Sequence, residues 1–206
     1  VDPRDSRYLF IGDSVTDCQR LADSDGLGTG YVRVLRDALE ERGLGVEVVN
    51  RGISGNRVKD LRARWSDDCI DLEPELVSVL IGINDTWRRY DSDDPTTTEA
   101  FEADYRHILE RTTVELDDPQ LVLVEPFLLP ARAEQDDWFE DLEPKIAVVR
   151  TLADDFGAIL VTAQEGLTVL AGEEGPAALA ADGVHPTPRG HQALAGLWLD
   201  TVLGEN

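Results

Sequence analysis

Residues 8–17, Tyr8-Leu9-Phe10-Ile11-Gly12-Asp13-Ser14-Val15-Thr16-Asp17, decide how the chain folds. Four apolar residues in succession, with no alternating polar partner, describe a strand covered on both faces. The glycine and small polar residues behind them describe a turn at that strand's carboxyl end. The same pattern returns at residues 46–49, 76–81, 121–124 and 158–161. Longer amphipathic intervals separate these runs, which predicts an α/β chain of five parallel strands joined by helical crossovers.

The intervals carry helix signals. Residues 30–42 place Val34, Leu35, Ala38 and Leu39 on one stripe, and Gly43 supplies a stop. Residues 57–65 read as a second, shorter helix. A third follows Thr96-Thr97-Thr98, with Glu99 in its first turn and Phe101, Tyr105, Ile108 and Leu109 as its inner face. Residues 137–156 and 188–203 read as the fourth and fifth, with Pro188 suited to a first turn. No repeat or linker interrupts this order, so residues 1–206 read as one domain. The acidic clusters at 91–94, 117–118 and 136–137 fall between elements, as solvated loops or helix starts.

Composition narrows the function. The 206 residues hold 42 Asp+Glu against 19 Lys+Arg, a formal net charge of −23, and 42% are hydrophobic, enough for a real core. With no basic run to displace counterions, nucleic acid and anionic membranes are excluded as partners. Lys59 and Lys145 are the only lysines. Abundant Asp with scarce Lys resembles the composition of salt-adapted proteins, while a GC-rich genome gives the same bias towards arginine. Cys18 and Cys69 are too few for a disulfide framework and read as buried or idle thiols, which fits a reducing compartment, with a single bridge as the alternative. No stretch approaches the roughly 18 apolar residues of a membrane span. The first five residues lack the basic and apolar regions of a signal peptide, so a cytoplasmic location is expected, with a leader already cleaved as the alternative.

In an open parallel sheet, ligands bind beyond the carboxyl ends of the strands. Four polar clusters fall there: Gly12-Asp13-Ser14, Asn50-Arg51-Gly52-Ile53-Ser54-Gly55-Asn56, Gly82-Ile83-Asn84-Asp85-Thr86-Trp87, and Asp182-Gly183-Val184-His185-Pro186 near the C-terminus. A serine becomes a nucleophile when a base takes its proton and a third group orients that base. Of the three histidines, His107 lies in mid-helix and His191 one turn into the last helix, where packing or capping suits it. His185 stands on a loop, three residues after Asp182 and directly before Pro186. That spacing lets the carboxylate take one ring nitrogen while the other faces Ser14, although a loop Asp and a loop His that never meet the serine would look the same. Acyl transfer also needs oxyanion donors. The Ser14 backbone N–H, the Gly55 backbone and the Asn84 side-chain amide are the candidates, each with an ordinary loop role as its alternative. Trp87 is a candidate substrate contact by stacking, with a core aromatic as the alternative, and Arg132, like Arg88, by polar contact, with surface pairing to the many acids as the alternative. Cys18 offers a rival nucleophile, but only Arg20 is at hand in sequence to lower its pKa. Nothing in the pattern calls for a metal or an organic cofactor.

Together these residues resemble the SGNH hydrolases, the GDSL-type esterases, whose signature residues Ser, Gly, Asn and His would be Ser14, Gly55, Asn84 and His185. Gly52 competes with Gly55, and the Ser54-Gly55-Asn56 context favours the latter. The resemblance implies a three-layer α/β/α, flavodoxin-like fold, a serine nucleophile and Asp182 as the acid of the triad. Residues 27–32, 50–58, 82–88 and 125–127 are similar to the branch containing bacterial acetylxylan esterases and carbohydrate deacetylases. In that branch a basic or polar residue is expected directly after the triad Asp, where this chain has Gly183.

The implied activity is hydrolysis of small acyl esters, O-acetyl above all, on a small-molecule or oligosaccharide substrate. A thioesterase or lysophospholipase is the alternative, with Phe127-Leu128-Leu129-Pro130 as a possible acyl groove. A non-catalytic binding subunit would be expected to lack one of the signature residues. Homo-oligomerisation is left open.

Overall fold

The computed structural model describes residues 6–204; the first five residues, expected to carry no leader signal, lie outside the described range. Strand β1 (Arg7–Gly12) leads into the single-turn helix α1 (Ser14–Asp17) and then α2 (Tyr31–Glu41). There follow β2 (Glu47–Gly52), α3 (Val58–Asp68), β3 (Leu76–Leu80), α4 (Ile83–Asp91), α5 (Thr98–Glu115), β4 (Gln120–Val124), α6 (Phe139–Phe156), β5 (Ile159–Val161), α7 (Ala163–Glu174), α8 (Pro176–Leu179) and α9 (Pro188–Leu203). The five strands form one parallel sheet in the order β2-β1-β3-β4-β5.

Alternation along each strand sends side chains to two separate cores. Leu9, Ile11, Val77, Val79, Leu121 and Leu123 meet α3, α5 and α6 through Leu61, Trp65, Tyr105, Ile108 and Leu152. On the other face Phe10, Leu76, Leu80, Val122 and Val124 meet α2 and α9 through Tyr31, Leu35, Leu194 and Trp198. Each core buries a tryptophan whose indole N–H is satisfied, Trp65 by Thr112 Oγ1 at 3.0 Å and Trp198 by Ser78 Oγ at 3.1 Å. Polar groups in a core are tolerated on that condition. The result is the expected three-layer α/β/α arrangement, with no helix among the described residues long and apolar enough to cross a membrane.

Several elements depart from the sequence reading. Helix α4 falls in a stretch that reads only as a polar cluster after β3: its apolar residues Ile83, Trp87 and Tyr90 are interleaved with Asn84, Asp85 and Thr86, which are polar yet buried. Helix α7 buries only Ala163 and Leu167, and α8 is a single turn, so neither carries a periodic signal. Strand β2 extends through Asn50 and Arg51, because its pairing with β1 continues to Gly12 opposite Gly52. The segment Ala133–Trp138 forms a 3₁₀ helix ahead of α6, so Asp136 and Asp137 lie within it and not in a loop, while Asp91 closes α4.

The chain adds β2 on one side of β1 and β3 on the other. Their carboxyl ends therefore flank the switch point of the sheet, the place where a crevice opens. Ser14 follows β1 there, the Gly55 loop follows β2, and Asn84 follows β3.

Candidate active site

Ser14 opens α1, where Asp13 serves as N-cap by accepting from Val15 N at 3.0 Å. Asp13 is buried, which raises its pKa to about 7 against the opposing pull of the Val15 N–H and of nearby His185. The turn beneath the serine is pinned from several sides. Asn50 Nδ2 donates to Thr16 O at 2.6 Å and to Leu27 O at 2.8 Å, Tyr31 Oη lies 3.1 Å from Thr16 Oγ1, and Arg64 donates to Gly12 O at 3.2 Å. Gly12 cannot carry a side chain, since a Cβ would stand 2.2 Å from Leu80 O.

The C-terminal loop brings its histidine to this turn across 171 residues of sequence: Ser14 Oγ is 3.0 Å from His185 Nε2. On the other side of the ring, His185 Nδ1 is 2.6 Å from Asp182 Oδ2. Asp182 Oδ1 accepts from Val184 N at 3.0 Å and from His185 N at 2.8 Å. Partial burial opposes the charge on Asp182, but the bond to the His185 ring and the two backbone N–H groups hold its carboxyl below the usual range. An ionised Asp182 fixes the proton on Nδ1 and leaves Nε2 to accept from the serine.

The two candidate oxyanion elements are joined to each other and to α1. Asn84 Nδ2 donates to Asn56 O at 3.1 Å, and Asp17 accepts from Ser54 N at 3.2 Å and Ser54 Oγ at 2.6 Å. Gly55 lies between them in an exposed loop with φ +83, a conformation that favours glycine. Gly52 serves the packing instead. A Cβ there would stand 2.1 Å from Asp17 N, so it is the glycine that lets β2 pass against α1. Asp85, wholly buried, accepts from Val58 N at 3.1 Å and so fixes the start of α3 behind the Gly55 loop. Burial raises its pKa to about 7. Sequence reasoning misses the roles of Asp17 and Asp85, because neither carboxylate stands at a spacing that marks its partner.

The other named residues sort clearly. Trp87 lies 5.9 Å from the His185 ring, centroid to centroid, and Trp138 a further 5.6 Å away. Tyr90 stacks on Trp138 at 5.3 Å. These three, with Arg132, Gln135 and the acids Asp91, Glu134 and Asp137, line a groove of about 670 Å³ beside the histidine. Arg132 is exposed on its rim and, among the described residues, forms no ion pair, whereas Arg88 pairs with Asp91. His107 lies on α5, away from the site.

His191 is buried and accepts from Tyr31 N at 3.1 Å through Nδ1; burial, with repulsion from His185 added, pushes its pKa down to about 4. Its Nε2 is 3.4 Å from Cys18 Sγ, a basic neighbour that the sequence does not reveal, although the low pKa keeps it neutral there. Both cysteines are free thiols, and burial pushes Cys69 up to about 12. Phe127, Leu128 and Leu129 are 3% exposed or less and belong to the core, so the segment forms no acyl groove.

A model of the GDSL-like lipase/acylhydrolase family matches residues 10–193. An acetylxylan esterase from Geobacillus stearothermophilus is 38% identical over 205 residues, 95% of this chain and 93% of the relative. Among solved structures, a Parabacteroides merdae protein of the GDSL-like lipase type superposes with a TM-score of 0.92 at 34% identity, covering 98% and 97% of the two chains. The Geobacillus acetylxylan esterase superposes with a TM-score of 0.89 at 36% identity, covering 98% and 96%. Catalytic mutants of that enzyme, with a serine, an aspartate or a histidine replaced by alanine, superpose with TM-scores of 0.87 to 0.89.

Proposed function

The chain belongs to the GDSL-like lipase/acylhydrolase family and is a carboxylic ester hydrolase, and from that premise we propose that it removes O-acetyl groups from carbohydrate esters through a Ser14, His185, Asp182 triad. The observation that carries this reading is the unbroken relay from Ser14 Oγ to His185 Nε2 at 3.0 Å and from His185 Nδ1 to Asp182 Oδ2 at 2.6 Å, with Trp87, which lines the neighbouring groove, 5.9 Å from the His185 ring.

In the first half-reaction Ser14 Oγ attacks the ester carbonyl as His185 Nε2 takes its proton. Asp182 offsets the positive charge on the ring. The C=O π pair moves to oxygen, and the oxyanion is received by the N–H groups of Ser14 and Gly55 and the amide of Asn84, each donor worth about 3 to 4 kcal/mol of barrier. Collapse breaks the bond to the sugar oxygen, which leaves with the His185 proton. Water then repeats the sequence on the acetyl-serine and returns the free serine and acetate.

The groove supports the substrate class. Aromatic faces at Trp87 and Tyr90 suit the apolar faces of pyranose rings, and the acetylxylan esterase relative acts on such a sugar polymer by its name. Burial of Phe127, Leu128 and Leu129 counts against long acyl chains. The test compares acetate release from acetylated xylo-oligosaccharides with hydrolysis of p-nitrophenyl acetate and octanoate. Turnover of the oligosaccharides and a preference for acetate are expected; a preference for octanoate with no release from the sugars would overturn the reading.

A further inference from the structure

Gln135 is buried, 1% exposed, although it directly precedes Asp136 and Asp137, which read as a solvated acidic cluster. Both ends of its amide are engaged. Nε2 donates to the backbone carbonyl of Asp182 at 2.8 Å, and Oε1 accepts from Ala131 N at 2.8 Å and Arg132 N at 3.2 Å. One side chain thus ties the loop that carries Asp182 to the segment that carries Arg132 into the groove. A second tie runs parallel to it, from Leu129 N to Gly183 O at 2.9 Å.

Gly183 completes the joint. Its φ of +88 lies in the region that favours glycine, and a Cβ there would stand 2.7 Å from Gln135 Oε1, 2.9 Å from Gln135 Nε2 and 2.9 Å from Leu129 O. The space that a side chain after Asp182 would fill is occupied by the Gln135 amide. A buried glutamine reaching in from the 3₁₀ helix therefore takes up the room beside position 183.

We infer that Gln135 is a positioning residue for the Asp182–His185 pair: it sets where the acid loop stands relative to Ser14 and couples that loop to the wall of the groove. This rests on the triad proposed above. It acts through the Asp182 backbone and touches no reacting atom, so its removal lowers the rate of the chemical step while substrate binding persists. A displacement on the scale of an ångström at an acid–base pair costs up to about a hundredfold in rate.

The test uses Gln135→Met, which keeps the volume and removes every hydrogen bond, and Gln135→Glu, which is isosteric. With p-nitrophenyl acetate, Gln135→Met is expected to lose about tenfold to a hundredfold in kcat with KM within about threefold of the wild type. The introduced carboxyl donates to Asp182 O only when protonated. The kcat of Gln135→Glu relative to wild type should therefore rise as pH falls from about 8 to about 5. The charged groups around it, Arg132, Glu134, Asp137, Asp182 and His185, are present in both proteins, so wild type is the reference; a carboxylate beside Asp182 also favours a protonated His185 ring, which works against the rise and makes a rise diagnostic. Wild-type kcat in folded Gln135→Met, or a flat ratio for Gln135→Glu, overturns the inference; if Gln135→Met does not fold, the Gln135→Glu ratio decides alone. Ser14→Ala in the same assay separates the two readings: activity retained there removes the triad itself, whereas its loss beside an unaffected Gln135→Met removes only the role of Gln135.

Discussion

Asn84 shows how much rests on a single side chain. Its amide is held by Asn56 O and so is aimed before any substrate arrives. Asn84→Ala should lower kcat by about 10²- to 10³-fold with little change in KM, since the donor is needed most where charge develops; steady-state kinetics on p-nitrophenyl acetate checks it, and a loss confined to KM would contradict it. Asp13 gives a second outcome, in stability. An unfolded aspartate loses its proton near pH ~4, while folded Asp13 keeps its own until about 7. Across that window the folded state binds the extra proton, so this residue's contribution falls as pH rises and is constant above it. His191 works the other way, because an unfolded histidine takes a proton near ~6.5 that the folded one refuses until about 4, so its stability is lost as pH falls through that window. Asp13→Asn removes only the first effect, and its stability relative to wild type should climb between about pH 5 and pH 7 in urea titrations. An unchanged difference would contradict the burial argument. Ser14, Asn84, Asp182 and His185 are legible in the sequence because each follows a strand or sits on a stiff turn at a telling spacing. Gln135, Asp17 and Asp85 are not, since a polar residue's burial and partner are set by tertiary packing.

At the scale of elements, close approach at the strand ends builds the crevice. Gly12 and Gly52 let β3 and α1 pass within reach of β1 and β2. Gly52→Ala should destabilise the protein by about 1 to 3 kcal/mol or more, as overpacking against backbone does. Gly172, inside α7 with open space around it, gives the contrasting case: Gly172→Ala should stabilise by about 0.5 to 1 kcal/mol through helix propensity. Chemical denaturation of the pair tests both, and equal effects would contradict the packing distinction. The five strands are readable because burial on both faces makes them continuously apolar. The long helices α2, α5 and α9 are readable from their stripes and starts. Helix α4 is harder to read, since its short stripe of Ile83, Trp87 and Tyr90 is interrupted by Asn84, Asp85 and Thr86, polar residues that are buried as well.

For the whole molecule, the charge of −23 is spread over a surface whose arginines are largely committed to carboxylates. Arg33 bridges Asp23 and Asp25, Arg106 bridges Glu102 and Asp155, and Arg111 holds Glu115. The surplus acids repel one another, and screening contracts from about 10 Å at 0.1 M salt to about 3 Å at 1 M. If the composition is a salt adaptation, Tm and esterase activity rise together from low to molar KCl; a flat or falling Tm assigns the arginine bias to base composition instead. On the proposed mechanism the chemistry needs no acidic field, since an uncharged ester and a serine–histidine pair would carry it alone. The most direct test of that chemistry is acetate release from acetylated xylo-oligosaccharides by Ser14→Ala compared with wild type, both shown to be folded by circular dichroism. Release by the wild type and loss to the uncatalysed background in the variant are expected. Release by Ser14→Ala at a rate near that of the wild type would contradict the serine mechanism.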